Sequence, residues 1–343
     1  MTYSTAIVGA SGYAGGELIR FLDAHPGFSL DLLGAHSQAG KRLAEVHPHL
    51  SNGDRTLVAF EAGEFGEADV VFLAMPHGAS AKPAMELLAG GSKVVDLGSD
   101  FRLSTAARYF EAYGTPHPFP NQLGRWAYGL PELFRDAIRS SDRVAAPGCY
   151  PTSAILPIAP VAAAGLLDGD GIVVDSMSGV SGAGRTLSEV TAFGSVGESV
   201  KAYKVLGHRH QPEMIQAIED VSSQEIELVF TPHLVPMQRG ILSTIYMRTK
   251  DGVHLDDIHT AFGKSYSDAP FVNLTDGPPE TRWATGSNNA LISYHHDPVS
   301  RRLIAICAID NLVKGAAGQA IQCANLMFGY AETEGLPSEG SMP

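Results

Sequence analysis

A two-part α/β chain, with a parallel-sheet domain followed by an α+β domain on a mixed sheet, is predicted by three features of the sequence. The chain has 343 residues, more than one hydrophobic core usually serves, so two domains are expected. Its first β-rich run, Thr5–Val8, passes at once into a glycine-rich turn and then a helical pattern. After about Thr152 the alternation of strand and helix gives way to strands separated by turns.

In the first domain the turn reads Gly9-Ala10-Ser11-Gly12-Tyr13-Ala14-Gly15-Gly16, followed by Glu17–Leu22 as a helix. Glycines at 9, 12 and 15 permit a tight turn, close backbone approach to a pyrophosphate, and packing of helix on strand. The pyrophosphate would sit on the helix N-terminus. A Rossmann-type dinucleotide site is therefore expected, with Gly9, Ser11, Gly12, Tyr13 and Ala14 in its loop. The second strand, Phe28–Ala35, ends in His36-Ser37-Gln38-Ala39-Gly40-Lys41-Arg42. No carboxylate stands there to hold a ribose 2′-hydroxyl, whereas Ser37, Lys41 and Arg42 suit a 2′-phosphate, so NADP(H) is the expected cofactor. The alternative is that both cations belong to a solvated loop. Val70–Ala74 reads as a buried parallel strand leading into Met75-Pro76-His77-Gly78, with helix Ala79–Leu88 and strand Lys93–Leu97 after it. Arg102 follows that strand, where a guanidinium can hold phosphate or carboxylate; pairing with Asp100 or Glu111 is the structural alternative. Residues 104–143 read as a long irregular connection with short helices.

The run VAAPGCYPTSAILPIAP (144–160) places Cys149 at a strand-to-helix corner, with Pro151 suited to the first helical position. Free N–H groups at a helix start lower a thiol pKa and make a thiolate nucleophile available; a buried apolar cysteine is the alternative. Beyond it, Gly171–Ser176, Glu225–Pro232, Gly240–Thr249, Ala290–Tyr294 and Leu303–Ile309 are β-rich. Ser178-Gly179-Val180-Ser181-Gly182-Ala183-Gly184-Arg185 forms a second glycine-rich loop without the Gly-Lys-Ser/Thr ending of a P-loop, either a nicotinamide or substrate contact or a plain connector. His208 and His210, in HRHQPEM, stand just before a predicted helix, where an imidazole can transfer protons at neutral pH. The stretch Ile309–Ala320 runs into an Ala-rich helix to about Phe328, which is expected to return to the first domain, giving a nucleotide domain of 1–148 and 314–343 and a catalytic domain of 149–313.

Composition sets further bounds. A formal charge of −13 argues against nucleic acid, though not against a small anion in a locally positive pocket. Cys149, Cys307 and Cys323 show neither CxxC nor zinc spacing, so no metal or disulfide and a reducing cytoplasm are expected. No apolar run reaches the roughly 18 residues of a membrane span. The N-terminus has no basic segment of a signal peptide. An exposed apolar sheet face would suit a homo-oligomer, a dimer or a tetramer.

Together GASGYAGGELIR (9–20), HSQAGKR (36–42), DFRL (100–103), PGCYPT (147–152), SGAGR (181–185), HRHQPEM (208–214) and DNLVKGAAGQA (310–320) resemble the N-acetyl-γ-glutamyl-phosphate reductase family over nearly the whole chain. Ser153 and Pro157 depart from its usual pattern along the helix after the cysteine. The resemblance implies NADPH-dependent reduction of an acyl phosphate to a semialdehyde in arginine biosynthesis. It implies Cys149 as nucleophile, with His210 as acid/base and His208 beside it. It also implies Ser37, Met75, Pro76, His77, Ser181, Gly182 and Asn311 near the cofactor, and Ser99, Arg102 and Arg185 near the substrate. Rival readings are an aspartate-semialdehyde dehydrogenase-like or carrier-linked aminoadipate reductase, and a non-catalytic NADP-binding redox sensor.

Overall fold

Strand β1 (Tyr3–Val8) of the computed structural model belongs to a six-stranded parallel sheet with β2 (Phe28–Gly34), β3 (Val70–Leu73), β4 (Lys93–Asp96), β5 (Ala127–Tyr128) and β6 (Arg143–Ala145). Residues 2–186 and 188–342 are described. The order is β2-β1-β3-β4-β6-β5, so the winding direction reverses between β1 and β3. Such a reversal leaves a crevice beyond the carboxyl ends of the strands. The inner strand β3 is wholly apolar and buried, as a strand covered on both faces requires, while the edge strand β2 leaves Ser29 and Asp31 exposed.

Helices α1 (Tyr13–Leu22), α2 (Ala81–Gly90), α3 (Ala106–Tyr113) and α4 (Pro131–Arg139) are the longer helices of this part of the chain. The connection 104–143 is more ordered than the sequence reading has it, because Thr105 caps α3 through the Arg108 N–H and Pro131 opens α4. Helix α2 begins two residues later than expected, since the Asp100 carboxylate receives the N–H groups of Gly78, Ser80 and Ala81 and fixes its start.

The second part has a seven-stranded mixed sheet of order β11-β12-β13-β10-β7-β9-β8. Its strands are β7 (Ile172–Ser178), β8 (Lys201–Ala202), β9 (Leu228–Leu234), β10 (Ile241–Arg248), β11 (Val272–Leu274), β12 (Ala290–Asp297) and β13 (Arg302–Ile309). Strict alternation of buried and open residues along β10 marks one covered face. Helix α5 (Cys149–Ala163) packs on that face beside α6 (His210–Ser222) and α7 (Leu255–Tyr266). Register puts Val229, Val173, Tyr246 and Ile304 in one row across the opposite face.

Helix α5 carries two interior prolines. Pro160 cannot donate to the Leu156 carbonyl one turn earlier, and the buried Tyr266 hydroxyl supplies that bond instead at 2.6 Å. Ser153, one of the departures from the family pattern, joins a buried hydroxyl chain with Ser243 and Ser176, each step 2.6 Å. This chain ties α5 to β10 and β7.

The chain divides into two compact units, Met1–Pro147 with Ala316–Leu336, and Gly148–Gly315 with Pro337–Pro343. The returning helix, α8 (Gly318–Phe328), packs on α4 in the first. The tail beyond Leu336, expected in the nucleotide domain, instead belongs to the second unit. There Asn288 N–H bonds the Pro337 carbonyl, Asn289 Nδ2 the Ser338 carbonyl, and Ser341 N–H the Thr285 carbonyl.

Replacing Tyr266 by Phe strands the Leu156 carbonyl in the core and should lower stability by roughly 1–3 kcal/mol. Urea unfolding of the variant measures this, and an unchanged midpoint would refute the bridging role.

Candidate active site

In the first unit Gly9 has φ +94°, and a side chain there would run into the Ala74 backbone. Gly15 is pressed in the same way against the backbone of Gly9 and Ala10. Gly12 differs: it is the N-cap of α1, no side chain caps the helix, and a Cβ would meet only the Gly9 carbonyl at 3.5 Å. The helix start thus has no side-chain cap and is open at Gly12, a cradle fit for pyrophosphate. Ser11 and the exposed Tyr13 flank it. Past β2, Ser37 and Lys41 lie on an exposed turn, while Arg42 pairs with Glu45 at 3.2 Å as part of a capping box. The only strand carboxylate of β2, Asp31, accepts from Ser29 and is not at the strand end.

Met75, Pro76 and His77 follow β3 at the same edge of the sheet. His77 Nδ1 lies 2.8 Å from Ser99 Oγ and 3.0 Å from Asp100 Oδ1, and its ring stacks on Tyr113. Arg102 is buried and donates to the Leu97 carbonyl at 2.8 Å, and its charge acts on Asp96. Sequence reading passed over this acidic pair. Burial above all pushes the Asp96 carboxyl up to about 7. At Asp100 burial acts in the same direction, but bonds from His77, Gly78 and Ser80 outweigh it and hold the group at about 2. Ser80 Oγ has one proton and lies 2.8 Å from Asp96 and 3.0 Å from Asp100.

In the second unit Cys149 is itself the first residue of α5, with extended Gly148 as N-cap. Pro151, expected in first position, is third, where a missing N–H costs nothing either. The Gly148 carbonyl accepts both the N–H and the hydroxyl of Thr152, and its N–H donates to the buried Glu213 Oε1 at 2.9 Å. Gly315 abuts the cysteine so closely that a Cβ there would press on the Cys149 Cβ at 2.7 Å.

Cys149 opens into a cleft of about 250 Å³ that also receives His208, His210, Tyr150, Tyr203, Gly182, Lys201, Lys204 and Arg209. The histidines are half a turn apart at the head of α6, ring centroids 4.7 Å apart. His208 Nδ1 accepts the His210 backbone N–H at 3.2 Å. Burial foremost, then Lys204 and Arg209, lowers His208 to about 4, so it is a neutral imidazole whose Nε2 keeps the proton. The Tyr150 and Tyr203 hydroxyls meet at 3.0 Å, and burial raises both phenols. Of the second glycine loop, Gly182 lines the cleft and Ser181 accepts from Asn311 Nδ2 at 3.0 Å, while Arg185 is exposed and not among the lining residues. Asn311 Oδ1 is taken up by the Gly240 N–H, so this amide braces two loops. Among the described residues no cluster of three metal-ligating side chains occurs, and no helix is long and apolar enough to cross a membrane. The missed groups, Glu213, Tyr203, Lys201, Lys204 and Arg209, carry no motif of their own. Only the placement of Arg209 and Glu213 inside HRHQPEM could have flagged them.

Residues 4–141 match the semialdehyde dehydrogenase NAD binding domain, and residues 149–311 the semialdehyde dehydrogenase dimerisation domain. The chain is 46% identical to the N-acetyl-gamma-glutamyl-phosphate reductase of Rhodopirellula baltica, covering 96% of this chain and 97% of that one. It is likewise 46% identical to the Magnetococcus marinus reductase, covering 100% and 99%. A protein of Arabidopsis thaliana described as a probable chloroplastic N-acetyl-gamma-glutamyl-phosphate reductase is 42% identical, covering 98% and 84%. Among solved structures, aspartate semialdehyde dehydrogenase II of Vibrio cholerae superposes with a TM-score of 0.73 at 19% identity, covering 96% and 99%, a likeness of fold.

Protonation of His208 sets a pH dependence whose sign follows from its depressed pKa. The unfolded chain takes up this proton near pH 6.5, the folded chain only near 4. The stability is therefore fully present above about pH 6.5 and is lost as pH falls from there towards 4, by on the order of 3 kcal/mol. His208→Gln removes the titration, and its urea midpoint should fall less steeply than that of the wild type across this window. Equal slopes would contradict the assignment.

Proposed function

The chain belongs to the N-acetyl-gamma-glutamyl-phosphate reductase family, and from that premise we propose that Cys149 carries the acyl group in a reduction of N-acetyl-γ-glutamyl phosphate to the 5-semialdehyde and phosphate. The observation that carries this reading is the cysteine at the first position of α5, open to a cleft shared with His208 and His210. A sulfur anion there faces the positive end of the helix dipole.

Cys149 attacks the acyl carbon, the C–O bond to phosphate breaks, and a thioester is left on the chain. A bound NADPH would supply the hydride that reduces the thioester carbon, leaving the oxyanion of a thiohemiacetal. His210 then donates a proton to the oxygen and recovers it as the C–S bond breaks and the aldehyde forms. His208, neutral with its Nδ1 occupied, contributes an Nε2–H hydrogen bond rather than proton transfer. Backbone N–H groups of the α5 start support the oxyanion. For the cofactor, Gly9, Ser11, Gly12, Tyr13 and Ala14 provide the open helix start, and Ser37 and Lys41 suit the 2′-phosphate, with Arg42 shared with Glu45. Met75, Pro76 and His77 line the carboxyl edge of the same sheet, and Ser181, Gly182 and Asn311 are read as further nicotinamide-side contacts. Arg102, beside Ser99, is the candidate for the substrate phosphate; the exposed Arg185 is a weaker substrate candidate.

The open sheet face is read as the seat of a second copy. Val229 and Tyr246 expose apolar surface in the row with Val173 and Ile304, within the stretch that matches the dimerisation domain. Free thiols at all three cysteines suit a reducing compartment such as the cytoplasm.

Cys149→Ser should cut turnover by at least about 10³-fold, the scale of losing an activated nucleophile, while NADPH binding measured by fluorescence titration persists. Near-normal turnover would take the cysteine out of the mechanism. Tyr246→Asp, placing charge in the apolar row, should shift sedimentation from a dimer to a single chain, and an unchanged profile would move the interface elsewhere.

A further inference from the structure

The cleft around Cys149 is cationic in a chain whose formal charge is −13. Lys201, Lys204 and Arg209 all line it, and none of their side chains has a hydrogen bond or ion pair among the described residues. No carboxylate is among the lining residues. Three unpaired cations converging on one concavity do little for folding, since each repels the others. They are suited instead to an anionic ligand.

The three cations are not equivalent. Lys201 and Lys204 are exposed ammonium groups on flexible stems. Arg209 is half-buried, stands between the two histidines in the chain, and is the N-cap of α6 with its backbone already helical at φ −57° and ψ −17°. A guanidinium is a planar fork that matches a carboxylate through two parallel bonds. The substrate of the reductase reading carries two anionic groups, the reacting acyl phosphate and an α-carboxylate that takes no part in the chemistry.

Resting on that reading, we infer that Arg209, assisted by Lys204, binds the substrate's α-carboxylate and thereby restricts the enzyme to acyl phosphates and aldehydes derived from amino acids with a free α-carboxyl group. The apolar side chains of Val190 and Leu234 in the same cleft leave room for an N-acyl group beside it.

The reverse reaction separates the two anions, because aldehyde and inorganic phosphate enter as different substrates. Phosphate-dependent NADP reduction is measured with N-acetylglutamate semialdehyde and with 4-acetamidobutanal, which lacks only the α-carboxylate. The wild type should prefer the first, and in Arg209→Gln the ratio of the two kcat/KM values should fall by roughly 10- to 100-fold, the worth of a charge-assisted pair, with Arg209→Lys in between. A ratio that stays constant, or a rise confined to the KM for phosphate, overturns the assignment. A wild type inactive on both aldehydes removes the reductase reading and this inference with it.

A variant without turnover remains testable through the thiol. Cys307 and Cys323 are fully buried, so iodoacetamide reports on Cys149. N-Acetyl-2-aminobutyrate, which has the α-carboxylate and no reacting carbonyl, should protect Cys149 in the wild type and not in Arg209→Gln; equal protection overturns the inference.

Discussion

The hydrogen bond from the Gly148 N–H to Glu213 Oε1 holds together the parts on which the chemistry depends. Gly148 is the last extended residue before α5 and Glu213 is fully buried in the first turn of α6, so one 2.9 Å contact joins the two helix starts. Cys149 follows Gly148 directly, and His210 lies three residues before Glu213, one turn back on the same side of α6. Fixing this pair of backbone positions therefore brings the thiol and the imidazoles into one cleft. The Ser153–Ser243–Ser176 hydroxyl chain and the Tyr266 bridge anchor the rest of α5, so the helix that carries the cysteine has little freedom to slide.

A different constraint shapes the nucleotide unit. There steric exclusion does the work: Gly9 and Gly15 are places where backbone meets backbone, and only Gly12 faces open space. The result is a helix start with no side-chain cap, ready to be completed by an anion. The neighbouring Asp96–Ser80–Asp100 cluster stabilises the edge of the same sheet, and its single shared hydroxyl proton is consistent with one protonated and one ionised carboxyl.

Much of this was legible in the sequence because the informative residues are local. The parallel strands are short apolar runs between turn signals, and the glycine turn needs no distant partner to be recognised. Cys149 was readable as a helix-start thiol even though its exact position was displaced by two residues, since proline is tolerated anywhere in the first turn. What escaped is non-local. Glu213 serves Gly148 from 65 positions away, and Lys201, Lys204 and Arg209 converge only once β8 and α6 are folded. The seven-residue tail, too, goes to its unit through backbone bonds to Asn288, Asn289 and Thr285 that no side-chain pattern announces. Arg102 and Asn311 show the reverse: residues singled out for ligands whose polar atoms are partly engaged by their own fold.

The central claim is that the acyl group passes through the sulfur of Cys149. Mixing the protein with N-acetyl-γ-glutamyl phosphate in the absence of NADPH, then quenching in acid and mapping peptides by mass spectrometry, tests it most directly. The account predicts a rapid release of about one phosphate per chain, with an N-acetylglutamyl adduct on the peptide containing Cys149. Release of phosphate only when NADPH is present, or an adduct on another residue, would contradict it.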